Sequence, residues 1–168
     1  MFRTLLPAAL CLVARHVHAQ DEIEVPGLTA PGPVLELPAC ENTQDDNNCA
    51  RFLACIGREG LWVDGQARGW NAGTLAAQRS DGAVCQGRWT YRDGLGIADT
   101  RFECSDGSTG WAVYVSQDSS TGTGIADGID SRGRRITAWT GASVIEFLTR
   151  EGGGVAELPC TDATIPIS

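Results

Sequence analysis

Four aspartates stand where acid–base chemistry could be assembled. Asp93, Asp106, Asp127 and Asp130 lie in or beside turns, and two of them facing each other across a cleft would supply the proton donor and the base or nucleophile of a glycoside hydrolase. Asp before Gly is also ordinary hairpin-turn chemistry, because the carboxylate accepts bonds from nearby amides. Turn formation is the reading that their spacing favours. Arg132, Arg134 and Arg135 form the one basic cluster; it can hold a carboxylate or a sugar phosphate, or simply balance Asp127 and Asp130. Trp62, Trp70, Trp89, Trp111 and Trp139 are many indoles for a chain of 168 residues, and aromatic faces on a rigid sheet hold glycans or proteins. The side that Trp62, Trp70 and Trp139 take is not set by the sequence, and burial is their default; if Trp139 points outward near Arg135 and Thr137, it is the expected binding position. Asp45-Asp46-Asn47-Asn48 offers the hard oxygen ligands that calcium takes, but without the loop spacing and terminal glutamate of an EF-hand. It reads as a helix cap, and no metal or cofactor is expected.

What is missing narrows the chemistry further. Residues 1–19 carry Arg3, an apolar run from Leu5 to Ala14 and the small-residue end Val17-His18-Ala19, the pattern of a secretory signal peptide cleaved before Gln20. Both histidines, His16 and His18, and the only methionine fall inside it, and the whole chain has no lysine. A mature chain of this kind has no Ser-His-Asp or Cys-His apparatus, no histidine metal ligand and no Schiff-base lysine. Eleven arginines then face twenty-one acidic residues, a net charge near −10 against −8 for the full chain. That charge repels nucleic acid and anionic membranes and draws cationic proteins. No later apolar run reaches the length of about 20 residues that a membrane-spanning helix needs.

These residues must be positioned by β-structure. Turn signals fall at Asp81-Gly82, Asp93-Gly94, Asp106-Gly107, Ser119-Ser120 and Arg132-Gly133, and each interval leaves room for one strand of a meander over 61–141. Centring one turn between Gly94 and Leu95 opposes Tyr91 with Ala98, Trp89 with Thr100, Gly87 with Phe102 and Cys85 with Cys104. This register puts the apolar residues on one face and sets two cysteines at bridging distance, which predicts a Cys85–Cys104 disulfide. Carrying the face across Asp106-Gly107 aligns Cys104 with Trp111, Phe102 with Val113 and Thr100 with Val115. The next strand, rich in glycine at 122, 124 and 128, is expected to make room for an indole such as Trp111.

Around the meander, the Pro-rich acidic segment 20–39 reads as extended. The spacing of Cys49, Phe52, Leu53 and Ile56 predicts a short helix over about 48–56, and Asp64-Gly65 a turn between two strands. Residues 142–150 fit a strand or a helix equally. Six cysteines in an exported chain imply three disulfides. With Cys85 and Cys104 paired, Cys40 can join Cys160, stapling the tails, or join Cys49 or Cys55. The segment Trp139-Thr140-Gly141-Ala142 is similar to the C-terminal strand of secreted lysozyme inhibitors, small acidic disulfide-bonded β-barrels, and that four-residue resemblance implies a cationic enzyme as partner. The expected object is one all-β domain over 40–168, an antiparallel meander closing into a small barrel or sandwich with a short N-terminal helix. Its expected role is an exported, non-catalytic binding module for a glycan or a cationic protein, with a carboxylate-based glycan hydrolase and a structural cell-envelope component as alternatives.

Overall fold

The computed structural model describes residues 34–92, 97–161 and 165–167. The proposed signal peptide, most of the Pro-rich segment and Asp93 lie outside these residues. Eight antiparallel strands run in chain order: β1 (Cys49–Ile56), β2 (Leu61–Gly69), β3 (Ala72–Arg79), β4 (Val84–Arg92), β5 (Ile97–Cys104), β6 (Thr109–Asp118), β7 (Thr123–Asp130) and β8 (Arg135–Gly141). β8 pairs back onto β1, so the meander closes into a barrel. Closure leaves no strand edge open.

Alternation assigns each side chain to the interior or the outer wall. Phe52, Ala54, Ile56, Val63, Leu75, Ala77, Ala112, Ala126, Ile136 and Ala138 form the buried interior, joined by Phe102 and Tyr114. The β4–β5 register is the predicted one, pair by pair from Tyr91–Ala98 to Cys85–Cys104, and Cys85 and Cys104 are bonded.

One loop is used three times at one end, here called the base. Ser80-Asp81-Gly82, Ser105-Asp106-Gly107 and Ser131-Arg132-Gly133 each join two strands, and Gly82, Gly107 and Gly133 take φ of 90°, 76° and 77°. The residue before each loop donates its N–H to the carbonyl of the residue after it, as Cys104 does to Ser108 at 2.8 Å. A three-residue loop ending in a left-handed glycine matches the twist of the strands it joins. Each loop serine also docks on an earlier strand. Ser80, Ser105 and Ser131 donate their N–H to the carbonyls of Trp62, Val84 and Thr109, and their hydroxyls accept from the N–H of the same three residues.

This loop corrects the predicted β5–β6 register. Because it holds three residues, Arg101 and not Cys104 opposes Trp111, and Asp99 opposes Val113. The shift is odd, so the β6 side chains from Trp111 to Tyr114 change face, up to the irregularity between Tyr114 and Ser116. Trp111 is 50% exposed on the outer wall and Tyr114 points inward.

Two further expectations are corrected. Residues 49–56 form β1 instead of a helix: the strand is buried on both sides, with Phe52, Ala54 and Ile56 in the barrel and Leu53 and Cys55 in a second core outside it. A doubly buried strand shows no alternation, so its apolar spacing imitates a helix. Asp64-Gly65 is no turn but the middle of β2, where Gly65 opposes Phe52 and Ala77; a Cβ there would meet the Ala76 carbonyl at 2.3 Å.

The single α-helix among the described residues is C-terminal, α1 (Val144–Glu151). Its buried Val144, Phe147 and Leu148 follow helical spacing and cover the outer face of β1 and β8 at Leu53, Cys55 and Trp139. Glycines 152–154 end the helix. The chain returns through β9 (Glu157–Leu158), paired with β10 (Ile165–Pro166), and Cys160 bonds to Cys55. Cys40 bonds to Cys49, so the Cys40–Cys160 pairing is not the one formed. The disulfides instead pin each tail to the end or the outer face of β1. Three bonded pairs fit an oxidising, extracellular-type environment. Among the described residues no helix is long and apolar enough to cross a membrane.

Candidate functional site

Inward residues differ sharply between the two ends of the barrel. Near the base they include Ile56, Phe102, Ile136 and Arg79, whereas at the mouth they include Ala50, Ala67, Ala98 and Gly124. An eight-stranded barrel is just wide enough for its side chains to fill it or for one small ligand. Where small residues cluster, space remains: the mouth encloses a cavity of about 580 Å³. Below it the interior closes over Phe52, Leu75 and Thr100, leaving a void of about 10 Å³, room for at most one water.

Three aromatic rings stand in the cavity wall, Trp89 and Tyr91 from β4 and Tyr114 from β6. The Trp89 indole N–H donates to the Arg68 carbonyl at 3.2 Å, which fixes the ring while leaving its faces to packing. Tyr114 lies across β7 because position 124 is glycine; a Cβ there would sit 2.3 Å from Tyr114 Cε1. Burial pushes the Tyr114 phenol up to about 12, with the Thr140 hydroxyl beside it acting in the opposite sense. The group is therefore a neutral hydroxyl at any ordinary pH. Amides complete the rim. Asn48 Nδ2 bonds to the Gly69 carbonyl at 3.1 Å, Asn42 Nδ2 to Asn48 Oδ1 at 3.0 Å, and Gln117 Nε2 to the Gly122 carbonyl at 3.4 Å.

None of the described residues lining this cavity carries a charge. That is unusual in so acidic a chain and has a direct consequence. A charged ligand entering a partly apolar site loses hydration and finds no counter-ion, whereas a neutral one does not incur that penalty.

The base holds the charged groups instead. Arg79 points inward from the end of β3 and is 4% exposed. Its guanidinium donates to Asp81 at 2.6 Å, to Asp106 at 2.7 Å and to Ser108 Oγ at 3.1 Å. The Ser108 hydroxyl and the Arg79 guanidinium hold the Asp106 carboxyl far below the usual aspartate range; Asp81 is lowered by Arg79 in the same way. Burial pulls Asp130 upward, but the Arg134 amide and guanidinium outweigh it and its pKa is lowered as well. Asp81 and Asp106 converge, yet on an arginine that keeps both ionised, the reverse of the raised pKa that a proton donor needs.

The predicted site residues do not come together. Trp139 is on the outer wall, but α1 covers it and it is 7% exposed in the second core. It packs there and offers no open face. Arg132 pairs with Asp106 at 3.0 Å, Arg134 with Asp130 at 2.7 Å and Arg135 with Asp127 at 2.8 Å. Each arginine of the cluster thus holds its own carboxylate, on the loop, at the base and on the outer wall respectively. At residues 45–48, Asp45 accepts from Thr43 Oγ1 and the Asn47 N–H in a polar turn before β1, and no group of three or more metal-ligating side chains occurs among the described residues. Tyr114 was the residue hidden from the sequence; the Ser-Asp-Gly tripeptide at 105–107, read as a three-residue loop, is the signal that turns it inward.

No family model matches the chain, and no curated protein matches it. The chain is similar to small designed β-barrels. Two are redesigned barrels bound to DFHBI, mFAP1 and mFAP0, each 16% identical over 55% of this chain and over 91% and 94% of theirs, with TM-scores of 0.44 and 0.43. The third is a de novo designed fluorescence-activating β-barrel, 17% identical over 55% of this chain and 89% of its own, with a TM-score of 0.43. These values carry no argument about what the present chain binds.

A small change at the mouth should close the cavity. Gly124→Ala is expected to drive the Tyr114 ring out of its seat and to destabilise the barrel by about 1–3 kcal/mol through overpacking, read as a lower urea midpoint together with a changed near-ultraviolet signal from tyrosine.

Proposed function

We propose that this chain is an exported, non-catalytic binding module that takes one end of a neutral glycan into the mouth of its barrel. The observation that carries the reading is the lining: aromatic faces from Trp89, Tyr91 and Tyr114, amides from Asn42, Asn48 and Gln117, and no charge among the described residues. A sugar ring has an apolar C–H face that stacks on an aromatic ring and hydroxyls that exchange bonds with amides. The acidic surface adds a bias against anionic glycans. Export follows from residues 1–19 as a signal peptide and fits the three disulfides. A cationic protein, the other expected partner, finds no carboxylate among the described residues that line the mouth.

The test is a titration of the oxidised protein with neutral trisaccharides, chitotriose and maltotriose, and with an acidic trisaccharide of uronic acid, followed by tryptophan fluorescence. Binding of a neutral sugar that weakens about tenfold or more in Tyr91→Ala, a loss of about 1.4 kcal/mol, supports the reading. The sugar should be recovered intact by mass spectrometry. Cleavage would establish the hydrolase alternative, and no binding of any sugar would leave the structural-component reading ahead.

A further inference from the structure

Two of the three disulfides are shut away from solvent. Cys55, Cys85, Cys104 and Cys160 are all 5% exposed or less, so an external thiol reaches neither the Cys55–Cys160 nor the Cys85–Cys104 bond without opening the fold. In the Cys40–Cys49 pair, Cys49 is buried at the start of β1 but Cys40 lies on the surface. Thiol–disulfide exchange depends on access to the sulfur that is attacked. The Cys40–Cys49 bond is therefore the one that yields first.

The chain that this bond closes is part of the mouth. Residues 41–48 read Glu-Asn-Thr-Gln-Asp-Asp-Asn-Asn, with three carboxylates and no apolar residue, a composition that does not order itself. They nonetheless form a strap along the rim, and Asn42 and Asn48, which line the cavity, belong to it. Asn48 is fixed to the barrel directly: its carbonyl accepts from the Gly69 N–H at 2.9 Å and its Nδ2 donates to the Gly69 carbonyl at 3.1 Å. The rest of the strap hangs on Asn48 and on the disulfide. Asn48 Oδ1 accepts from Asn42 Nδ2 at 3.0 Å and from the Thr43 N–H at 2.9 Å, and the Glu41 carbonyl accepts from the Cys49 N–H at 2.9 Å. Just before Cys40, the Pro38 and Ala39 carbonyls accept from the side chains of Gln66 and Arg68 in exposed bonds. Such hydrogen bonds are individually modest. The covalent bond holds them together by closing a short loop, with a sequence separation of 9.

We infer that Cys40–Cys49 is a redox latch on the mouth: a dithiol reductant opens it, residues 41–47 leave the rim, and the site loses Asn42. This regulation rests on the mouth being the binding site proposed above. The exchange balances with the dithiol alone. Its thiolate attacks Cys40 Sγ, the Cys40–Cys49 bond breaks, and Cys49 departs as a thiolate that takes up a proton. The reductant's second thiolate then attacks the reductant's own sulfur in the mixed disulfide, which frees Cys40 and leaves the reductant as a disulfide. Two electrons and two protons pass to the protein. The two buried disulfides still hold the barrel and the second core, so the opening is local.

Graded reduction of the native protein with dithiothreitol, quenched with iodoacetamide and mapped by peptide mass, tests the latch first. Cys40 and Cys49 should be alkylated together, about tenfold or more faster than any other cysteine, giving a two-thiol species with the barrel intact. In that species, and in the Cys40→Ala/Cys49→Ala variant, amide NMR should show residues 41–47 losing dispersed shifts and exchange protection while β2 to β8 keep theirs. Chitotriose should bind the oxidised protein about tenfold tighter than either form, because a freed strap must be ordered again before Asn42 meets the sugar, and reoxidation should restore the affinity. The alkylation order and the strap's amide signals need no sugar. A wild-type protein that binds no chitotriose therefore sinks the glycan reading, while those two readouts still judge the latch. Alkylation of Cys55, Cys85, Cys104 or Cys160 before Cys40, a strap that keeps its signals without the bond, or binding that is equally tight in the oxidised and reduced forms overturns the inference.

Discussion

Replacing Cys55 and Cys160 together by alanine is expected to destabilise the protein by roughly 4–5 kcal/mol, the largest effect of any change considered. The reason is the length of chain that the bond closes. Cys55 and Cys160 are 105 residues apart, against 19 for Cys85–Cys104 and 9 for Cys40–Cys49. Loop-closure entropy in the unfolded chain grows with the logarithm of that length, so the same treatment gives roughly 3 kcal/mol for the middle loop and 2.5 kcal/mol for the short one. The long bond also has a local task. It ties the C-terminal segment to the outer face of β1, where Leu158 and Cys160 complete the core around Leu53, Trp139 and Phe147. Urea unfolding of the three double-alanine variants should therefore rank them in the order of loop length, and only the Cys55/Cys160 variant should expose Trp139 to acrylamide. Equal losses in all three would show that local strain, not chain entropy, sets their contributions.

Arg79→Met is expected to cost about 2–3 kcal/mol near neutral pH and, more tellingly, to change how stability depends on acid. Removing one partner of a fully buried ion pair costs about 3–5 kcal/mol. Here the arginine side chain is 3% exposed but its partners Asp81 and Asp106 are 42% and 27% exposed, so water can take over part of their solvation and the figure is reduced. The pH argument follows from the direction of the shifts. Asp81 and Asp106 are held below the ordinary aspartate value of 3.8 in the fold, and unfolding returns them to it. Their contribution is therefore fully present above about pH 4 and is lost as pH falls below that point. Wild-type stability should decline steeply below about pH 4. Arg79→Met should decline less, because the cation that lowers both carboxyls is gone. A parallel acid limb in the two proteins would show that Arg79 does not hold these groups.

The parts of this architecture that the sequence made legible are those where one face is buried and the other wet. Between β4 and β5 a single register sorted Trp89, Phe102 and Thr100 from Arg88, Arg101 and Glu103 and brought Cys85 to Cys104, so pairing and disulfide could be read together. β1 failed the same test because Leu53 and Cys55 are covered by α1 while Phe52 and Ile56 fill the barrel; with both faces apolar, period two disappears. Trp139 failed for a related reason. It points outward, yet a helix from a segment that fitted strand and helix alike lies over it. The mouth stayed hidden behind one loop. Opposing Cys104 to Trp111 across Asp106-Gly107 put Trp111, Val113 and Val115 inside and Tyr114 outside, which exchanged an exposed wall for the cavity wall.

The central claim is that the mouth of the barrel, and no other surface, receives a neutral glycan. Its most direct test is a titration of the isotope-labelled oxidised protein with neutral and acidic trisaccharides, followed by amide and indole NMR shifts. The neutral sugar is predicted to move the Trp89 indole N–H and the amides of Ala67, Ala98, Gly122 and Gly124 while leaving Trp111 and the base loops unmoved, and the acidic one to move none of them. Shifts at Trp111 or Arg135 without any at Trp89, or tighter binding of the acidic sugar, would contradict it.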